Sequence, residues 1–154
     1  MKNKKTVIFD LDGTLALIDK RADLSMKSGK RDWSVFFDPK NISLDTPNKV
    51  VIKMAQILHE QGFEIVIFSG RSEATKDTTI EWLKKWDVPF DILKMRPTSK
   101  DWNFMKDSDL KQSWLDEFFP NKENIFAIFD DRNQVVDMWR RNGLQVFQVA
   151  DGDF

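Results

Sequence analysis

The sequence predicts an α/β protein built on a doubly wound parallel sheet, and two patterns in its 154 residues predict it. Short apolar runs alternate along the chain with stretches whose apolar residues recur at helical spacing, the order that gives a parallel sheet covered by helices on both faces. Three of the runs stop at a polar cluster: Asp10/Asp12, Ser69/Arg71 and Asp130/Asp131. In open parallel sheets, reactive groups gather beyond the carboxyl ends of the strands.

The first strand is Thr6-Val7-Ile8-Phe9, a compact β-favouring run ending in a carboxylate. A helix is expected from Thr46-Pro47, a capping residue followed by proline in the first turn, with Gly62 closing it. Its expected apolar face is Val50, Val51, Met54, Ile57 and Leu58. A second buried strand, Phe63 to Phe68, ends at Ser69-Gly70-Arg71. A helix over 73–86 then places Ile80, Leu83 and Trp86 at near-helical spacing, with Trp82, Trp86 and Trp139 read as helix packing. Phe90 to Met95 is the third strand, a helix over 107–119 follows, and Ile125 to Phe129 is the fourth strand. The chain closes with a helix over 132–142 and a strand from Leu144 to Val149.

Two stretches read as irregular. Residues 19–46 carry Arg21, Lys27, Lys30, Arg31, Trp33, Phe36 and Phe37, and residues 95–106 carry Met95, Arg96, Lys100, Trp102 and Phe104. Loops of that length in a domain of this size are usually functional or disordered. Basic residues mixed with aromatics suit nucleotide contact; solvated loops with a few anchoring aromatics are the plainer reading.

Length allows one domain with a real core, 1–154. Hydrophobic residues at 41% and charged residues at 32% fit a globular chain rather than a disordered one. No apolar run approaches the ~20 residues that span a bilayer, and the basic start Met1-Lys2-Asn3-Lys4-Lys5 leads into Asp10 and Asp12, which is no signal peptide. The expectation is a cytoplasmic protein with no membrane partner. With no cysteine there is no disulfide framework and no thiolate zinc site. A formal charge of −1 gives no global basic field for wrapping a duplex, so a nucleic acid would be held locally, at a chain end.

Asp10-Leu11-Asp12-Gly13-Thr14 sets two carboxylates two residues apart where a strand runs out. One can attack a phosphoryl group to form an acyl-phosphate; the other can protonate the leaving oxygen and later deprotonate water. Gly13 lets the chain turn without a side chain in the pocket. Anionic attack on a phosphate needs positive charge, and Asp10, Asp12 and Asp130 or Asp131 offer the oxygen ligands that Mg²⁺ prefers. Asp130-Asp131 reads alternatively as a helix N-cap. Ser69 and Gly70 can present a hydroxyl and backbone N–H groups to phosphate oxygens. From the residues alone Lys111 reads as a surface lysine and Arg71 as a solvated arginine at a helix start. His59, the one histidine, lies off its helix's apolar face, which excludes histidine-cluster metal sites and Ser-His-Asp hydrolysis.

The set Asp-x-Asp-Gly-Thr, Ser69, Lys111, Asp130-Asp131 resembles the haloacid dehalogenase phosphatase superfamily. Within it the chain resembles the 3′-phosphatase domains of the polynucleotide kinase–phosphatases, as in the phage enzyme. The resemblance runs nearly end to end. It is densest in Val7 through Ala16, in Ser69-Gly70-Arg71, and in the tail from Asp130-Asp131-Arg132 through Met138-Trp139-Arg140-Arg141 to Gly152-Asp153-Phe154. It implies a Rossmann-like haloacid dehalogenase fold with a small or absent cap, 19–46 being a small cap-like insertion. It makes Asp10 the nucleophile and Asp12 the general acid/base. Ser69 and Lys111 would bind the phosphoryl group, and Asp130 and Asp131 would complete a Mg²⁺ site that includes the main-chain carbonyl of Asp12. Arg21 and Arg71 match arginines needed for substrate. Loops 19–46 and 95–106 depart from the pattern.

The resemblance implies a polynucleotide 3′-phosphatase acting on a 3′-phosphorylated nucleic-acid end or nucleotide, a 2′,3′-cyclic phosphate included. The runner-up enzyme is a small-molecule 5′-nucleotidase or general phosphatase. No phosphate-cradling Gly-x-x-x-x-Gly-Lys-Ser/Thr occurs in the sequence, so the chain is not expected to be a kinase; it is either a free-standing phosphatase or works beside a separate kinase or ligase. A receiver-like regulator would keep its aspartyl-phosphate and lack an acid/base at Asp12, and a binding module for nucleic-acid ends would leave the acids inert.

Overall fold

In the computed structural model, which describes residues 4–154, the central strand is β1 (Thr6–Phe9). Met1, Lys2 and Asn3, part of the basic start, lie outside the described residues. After β1 the chain makes β2 (Ala16–Leu17), then α1 (Asp19–Leu24), a hairpin of β3 (Met26–Lys27) and β4 (Lys30–Arg31), and the short helices α2 (Trp33–Phe36) and α3 (Pro39–Ile42). β5 (Thr46–Pro47) pairs antiparallel with β2 and brings the excursion back to its starting point. Then follow α4 (Lys49–Glu60), β6 (Glu64–Ser72), α5 (Lys76–Lys85) and β7 (Ile92–Arg96). The last third comprises α6 (Lys100–Asn103), α7 (Asp107–Phe118), β8 (Ile125–Asp130), α8 (Asn133–Arg141) and β9 (Val146–Gln148).

Five strands form one parallel sheet in the order β7-β6-β1-β8-β9. All four residues of β1 are buried, as a strand covered on both faces requires. Val7 and Phe9, with Ile65 and Ile67, meet Val51, Ile52 and Ala55 of α4 and Trp82 and Leu83 of α5. Ile8, Val66, Phe68 and Ile128 meet Leu110, Trp114 and Leu115 of α7 and Val135, Val136 and Trp139 of α8. Each branched side chain so buried stabilises by about 1.5–3 kcal/mol, and slipping a strand by one residue would exchange the two faces. The chain leaves β1 toward β6 on one side and later places β8 on the other. The switch point therefore lies between β1 and β8, where Asp10 follows the one strand and Asp130 ends the other.

Several boundaries differ from the sequence reading. Thr46-Pro47 does not start a helix; it is the strand that closes the excursion, and α4 begins at Lys49 after Asn48. The buried face of α4 is Val51, Ile52 and Ala55, while Val50, Met54 and Ile57 are exposed. α4 is apolar on more than one side, and the small Ala55, fully buried, fixes the face that approaches the sheet. β6 runs past Phe68 to Ser72, and a 3₁₀ turn (Glu73–Thr75) precedes α5. Residues 19–46, read as irregular, fold into two short helices, a third at 19–24 and a hairpin; residues 95–106 contain α6. No helix among the described residues is long and apolar enough to cross a membrane.

Candidate active site

Asp10 follows β1 directly and Asp130 ends β8, so neighbouring parallel strands deliver two carboxylates to the same edge, and Asp131 follows. Asp10, Asp130 and Asp131 are all buried and place carboxylate oxygens within 4.8 Å of one another. Lys111, near the start of α7, reaches into this group: its Nζ donates to Asp10 Oδ1 at 2.7 Å and to Asp130 Oδ2 at 3.3 Å. The Trp139 indole N–H donates to Asp130 Oδ2 at 3.1 Å, and the main-chain N–H groups of Asp131 and Arg132 donate to Asp130 Oδ1. The Thr14 hydroxyl lies 3.2 Å from Asp10 Oδ2 and 3.4 Å from Asp131 Oδ1.

Burial first, then the charge of Asp130, raises Asp10's proton affinity well above the usual carboxylate range, and Lys111 opposes the rise only in part. Asp131 is likewise raised, mainly by burial. For Lys111 burial works against the charged form, but Asp10 and Asp130 outweigh it and its affinity for the proton rises. With all three ionised, these carboxylates face one ammonium and leave an excess of two negative charges in a buried all-oxygen donor set. That suits a hard divalent cation.

Asp12 faces elsewhere. Its Oδ1 accepts from Arg21 Nη2 at 2.7 Å and from Arg71 Nε and Nη2 at 2.9 and 2.6 Å. Burial alone would raise its pKa, but the guanidiniums of Arg71 and Arg21 overcome that and hold it at about 2. Both arginines also bind Asp45, whose side chain is fully buried. Arg21 is bidentate to it through Nε and Nη2, each at 3.0 Å, and Arg71 Nη2 lies 2.8 Å from its Oδ2. The Asp45 carbonyl accepts from the Trp82 indole at 2.9 Å. Two guanidiniums and two carboxylates form a balanced buried network, in which geometry and full pairing matter more than net attraction.

The local chain explains this arrangement. The β6–β7 ladder is irregular between Ser69 and Ser72, and irregularities of this kind re-aim side chains beside active sites. Here Ser69 is buried, with its Oγ accepting from the Arg71 N–H at 3.2 Å, and the Gly70 carbonyl accepts from Arg96 Nε. Gly13 has φ +82°, and a Cβ there would fall on the Asp131 carboxylate; a Cβ at Gly152 would fall on the Asp131 carbonyl. Glycines thus fence Asp131 from two sides.

Asp10, Asp12, Ser69, Gly70, Arg71, Lys111, Asp130 and Asp131 all line one cleft of about 630 Å³. Arg21 sits behind it, tied to Asp12. Three expectations need correction. The Asp12 carboxylate is turned onto arginines rather than into the group of three aspartates. Lys111 and Arg71, read from the residues alone as solvated, are 2% and 1% exposed, because each finds buried carboxylates to pair with. Asp130 and Asp131 do not cap α8, whose preceding residue is Arg132 with no side-chain cap bond. Sequence reasoning missed Asp45, whose one signal was its position just before the return of a long excursion, and it gave Thr14 and Trp139 no polar role.

Known proteins match this chain along nearly its whole length. The family profile for the phosphatase domain of polynucleotide kinase PNKP matches residues 4–154. A candidate bifunctional polynucleotide kinase/RNA ligase of Autographa californica nuclear polyhedrosis virus is 32% identical over 142 residues, covering 90% of this chain and 18% of that protein. A chain in the structure of a Pnkp1/Rnl/Hen1 complex superposes with a TM-score of 0.79 at 35% identity, covering 97% of this chain and 47% of that one. The chain therefore spans less than half the length of these relatives. A phosphoserine phosphatase captured as a phospho-aspartyl intermediate analogue shares the fold alone, with a TM-score of 0.57 at 17% identity over 97% of this chain and 88% of that one. The chain belongs to the polynucleotide kinase–phosphatase family of haloacid dehalogenase phosphatases, and it is a phosphatase related to the polynucleotide 3′-phosphatases.

Proposed function

We propose that this chain is a Mg²⁺-dependent phosphomonoesterase that removes 3′-phosphate, 2′,3′-cyclic phosphate included, from nucleic-acid ends or nucleotides through an aspartyl-phosphate on Asp10. The observation that carries the reading is the split of the Asp10/Asp12 pair: Asp10 sits on Lys111 within a carboxylate group, and Asp12 sits on two arginines at the same cleft. An Asp10 oxygen attacks phosphorus, and the bond from phosphorus to the leaving oxygen breaks as Asp12, protonated once substrate draws the arginines off its carboxylate, supplies that oxygen's proton. Asp12 then takes a proton from water, whose oxygen attacks phosphorus and frees Asp10. Ser69, the Gly70 backbone N–H and Lys111 hold the phosphoryl oxygens. Asp10, Asp130 and Asp131, with the Asp12 carbonyl, would hold Mg²⁺, which when bound supplies the positive charge that anion-on-anion attack requires.

The excursion 19–46 serves as a small cap-like insertion of this domain. It leaves the site open enough for a polymer end. A kinase or ligase working with this phosphatase fits the viral relative, a kinase/ligase, and the neighbour found in a Pnkp1/Rnl/Hen1 complex. A cytoplasmic location is part of this reading.

The test is a side-by-side measurement of kcat/KM with Mg²⁺ on 3′-phosphorylated oligonucleotides, 3′-mononucleotides and 5′-mononucleotides. The 3′-phosphorylated substrates are expected to be preferred. A clear preference for 5′-mononucleotides would replace this reading with that of a nucleotidase.

A further inference from the structure

We propose that the mouth of the cleft is a stacking subsite for the terminal nucleobase of a single-stranded end, walled by Trp33 and Phe104, with Arg31 beside it for the neighbouring phosphate. The inference rests on the 3′-phosphatase reading and narrows its substrate.

The cleft, about 630 Å³, is far larger than a phosphoryl group needs and falls in the size range of sites for whole organic ligands. Its floor is the charged machinery, and its walls are aromatic: Trp33, Phe36 and Phe37 from the insertion, Phe104 from the segment before α7. Trp33 is held in place yet open. It stacks on Phe37 at 5.9 Å and meets Phe36 edge-on at 5.4 Å, while 60% of it remains exposed. Phe104 is 95% exposed on a backbone that is pinned. Arg96 donates to the carbonyls of Trp102 and Met105 on either side of it, at 2.6 and 2.7 Å. Two large apolar rings left open to solvent on one cleft make an exposed apolar surface, and such surfaces mark binding sites where a single exposed ring would not.

Charge identifies the occupant. Arg31 has no carboxylate partner among the described residues. Its Nη1 is spent on Ser25 Oγ and the Ala22 carbonyl, and its guanidinium lies 5.8 Å from the Trp33 ring and 5.0 Å from Phe36. An unpaired cation stacked beside open aromatic rings, above a phosphoryl site, complements one nucleotide and the phosphate next to it. Base–aromatic stacking accepts every base, since each has a π-face. It requires the base to be free of its complement, which selects a single-stranded end.

The test compares kcat/KM for a 3′-phosphorylated single-stranded oligonucleotide with that for the same strand carrying an abasic terminal sugar. The base-bearing end is expected to win by about tenfold. Trp33→Ala and Phe104→Ala each shrink that ratio, chiefly through KM, and Trp33→Phe restores most of it. Equal rates on the two ends, or ratios untouched by either alanine variant, would overturn the subsite. If the wild-type protein hydrolyses neither end, the 3′-phosphatase reading fails instead. Binding of unphosphorylated strands with and without the terminal base then decides the subsite alone: preference for the base supports it, and indifference overturns it.

Discussion

Asp10 and Asp12 are separated by one leucine, yet the fold gives them opposite surroundings. Around Asp10, three buried carboxylates share one lysine, and burial with the neighbouring acids drives its proton affinity up. Around Asp12, two arginines answer two carboxylates, and its pKa falls to about 2. Environments that push two carboxyl groups apart are how one site assigns them different work. The first region carries an uncompensated charge of two and calls for a divalent cation. The second is already neutral, so its carboxylate gains nothing from a metal; the arginines hold it ionised, the form that can take a proton from water.

This comparison breaks most sharply if the two regions respond alike to substitution. Asp12→Asn is expected to cut turnover by ~10²–10⁴, the range of general acid–base catalysis, while Mg²⁺ still raises the melting temperature as in the wild type. Asp131→Asn should lose much of that Mg²⁺-dependent stabilisation, because a ligand that binds the folded state stabilises in proportion to its affinity. Thermal unfolding with and without Mg²⁺ checks both; a lost metal response in Asp12→Asn alone would reverse the assignment.

Asp45 sharpens the comparison from behind. It shares both arginines with Asp12, so without its charge the guanidiniums close on Asp12 and make it a poorer acid. Asp45→Asn should lower kcat/KM by about tenfold for a 3′-phosphate ester of ribose, whose alkoxide must be protonated as it leaves. The loss should be clearly smaller for an aryl phosphate, which departs unaided. An equal loss on both substrates would reduce Asp45 to a structural tie between the insertion and β6.

Gly152 gives the smallest effect. A methyl group there meets the Asp131 carbonyl, and overpacking of that kind costs about 1–3 kcal/mol. Gly152→Ala should lower the melting temperature by roughly 2–4 °C per kcal/mol in a domain of this size, with weakened Mg²⁺ stabilisation if the shift reaches the carboxylate. Calorimetry measures it.

The sheet and the acid pair were legible because both depend on local chemistry. Strands buried on two faces must be continuous apolar runs, and their ends then have to carry whatever the site uses. Asp10, Asp130 and Ser69 follow from that alone. The electrostatic partners were legible only through the family resemblance, which named Lys111 and Arg71. By their own chemistry both are charged residues on otherwise ordinary segments, and only the folded neighbourhood shows that buried carboxylates await them. Asp45 was hidden for the same reason, lying 24 residues from Arg21 and 26 from Arg71 along the chain. The phase of α4 was ambiguous because Val50, Met54 and Ile57 form a second apolar stripe, and periodicity cannot choose between two stripes. Short helices such as α2 and α3 carry too few residues for any period, though Asp32 and Asp38 cap them.

The central claim is that Asp10 becomes phosphorylated. Rapid acid quenching of the protein during turnover of a 3′-phosphorylated oligonucleotide with Mg²⁺, followed by peptide mass spectrometry, tests it directly. The account predicts phosphate on the peptide that contains Asp10, as an acyl-phosphate that hydroxylamine cleaves, with none in Asp10→Asn. Full turnover with Asp10 never modified, or phosphate recovered on another residue, would contradict it.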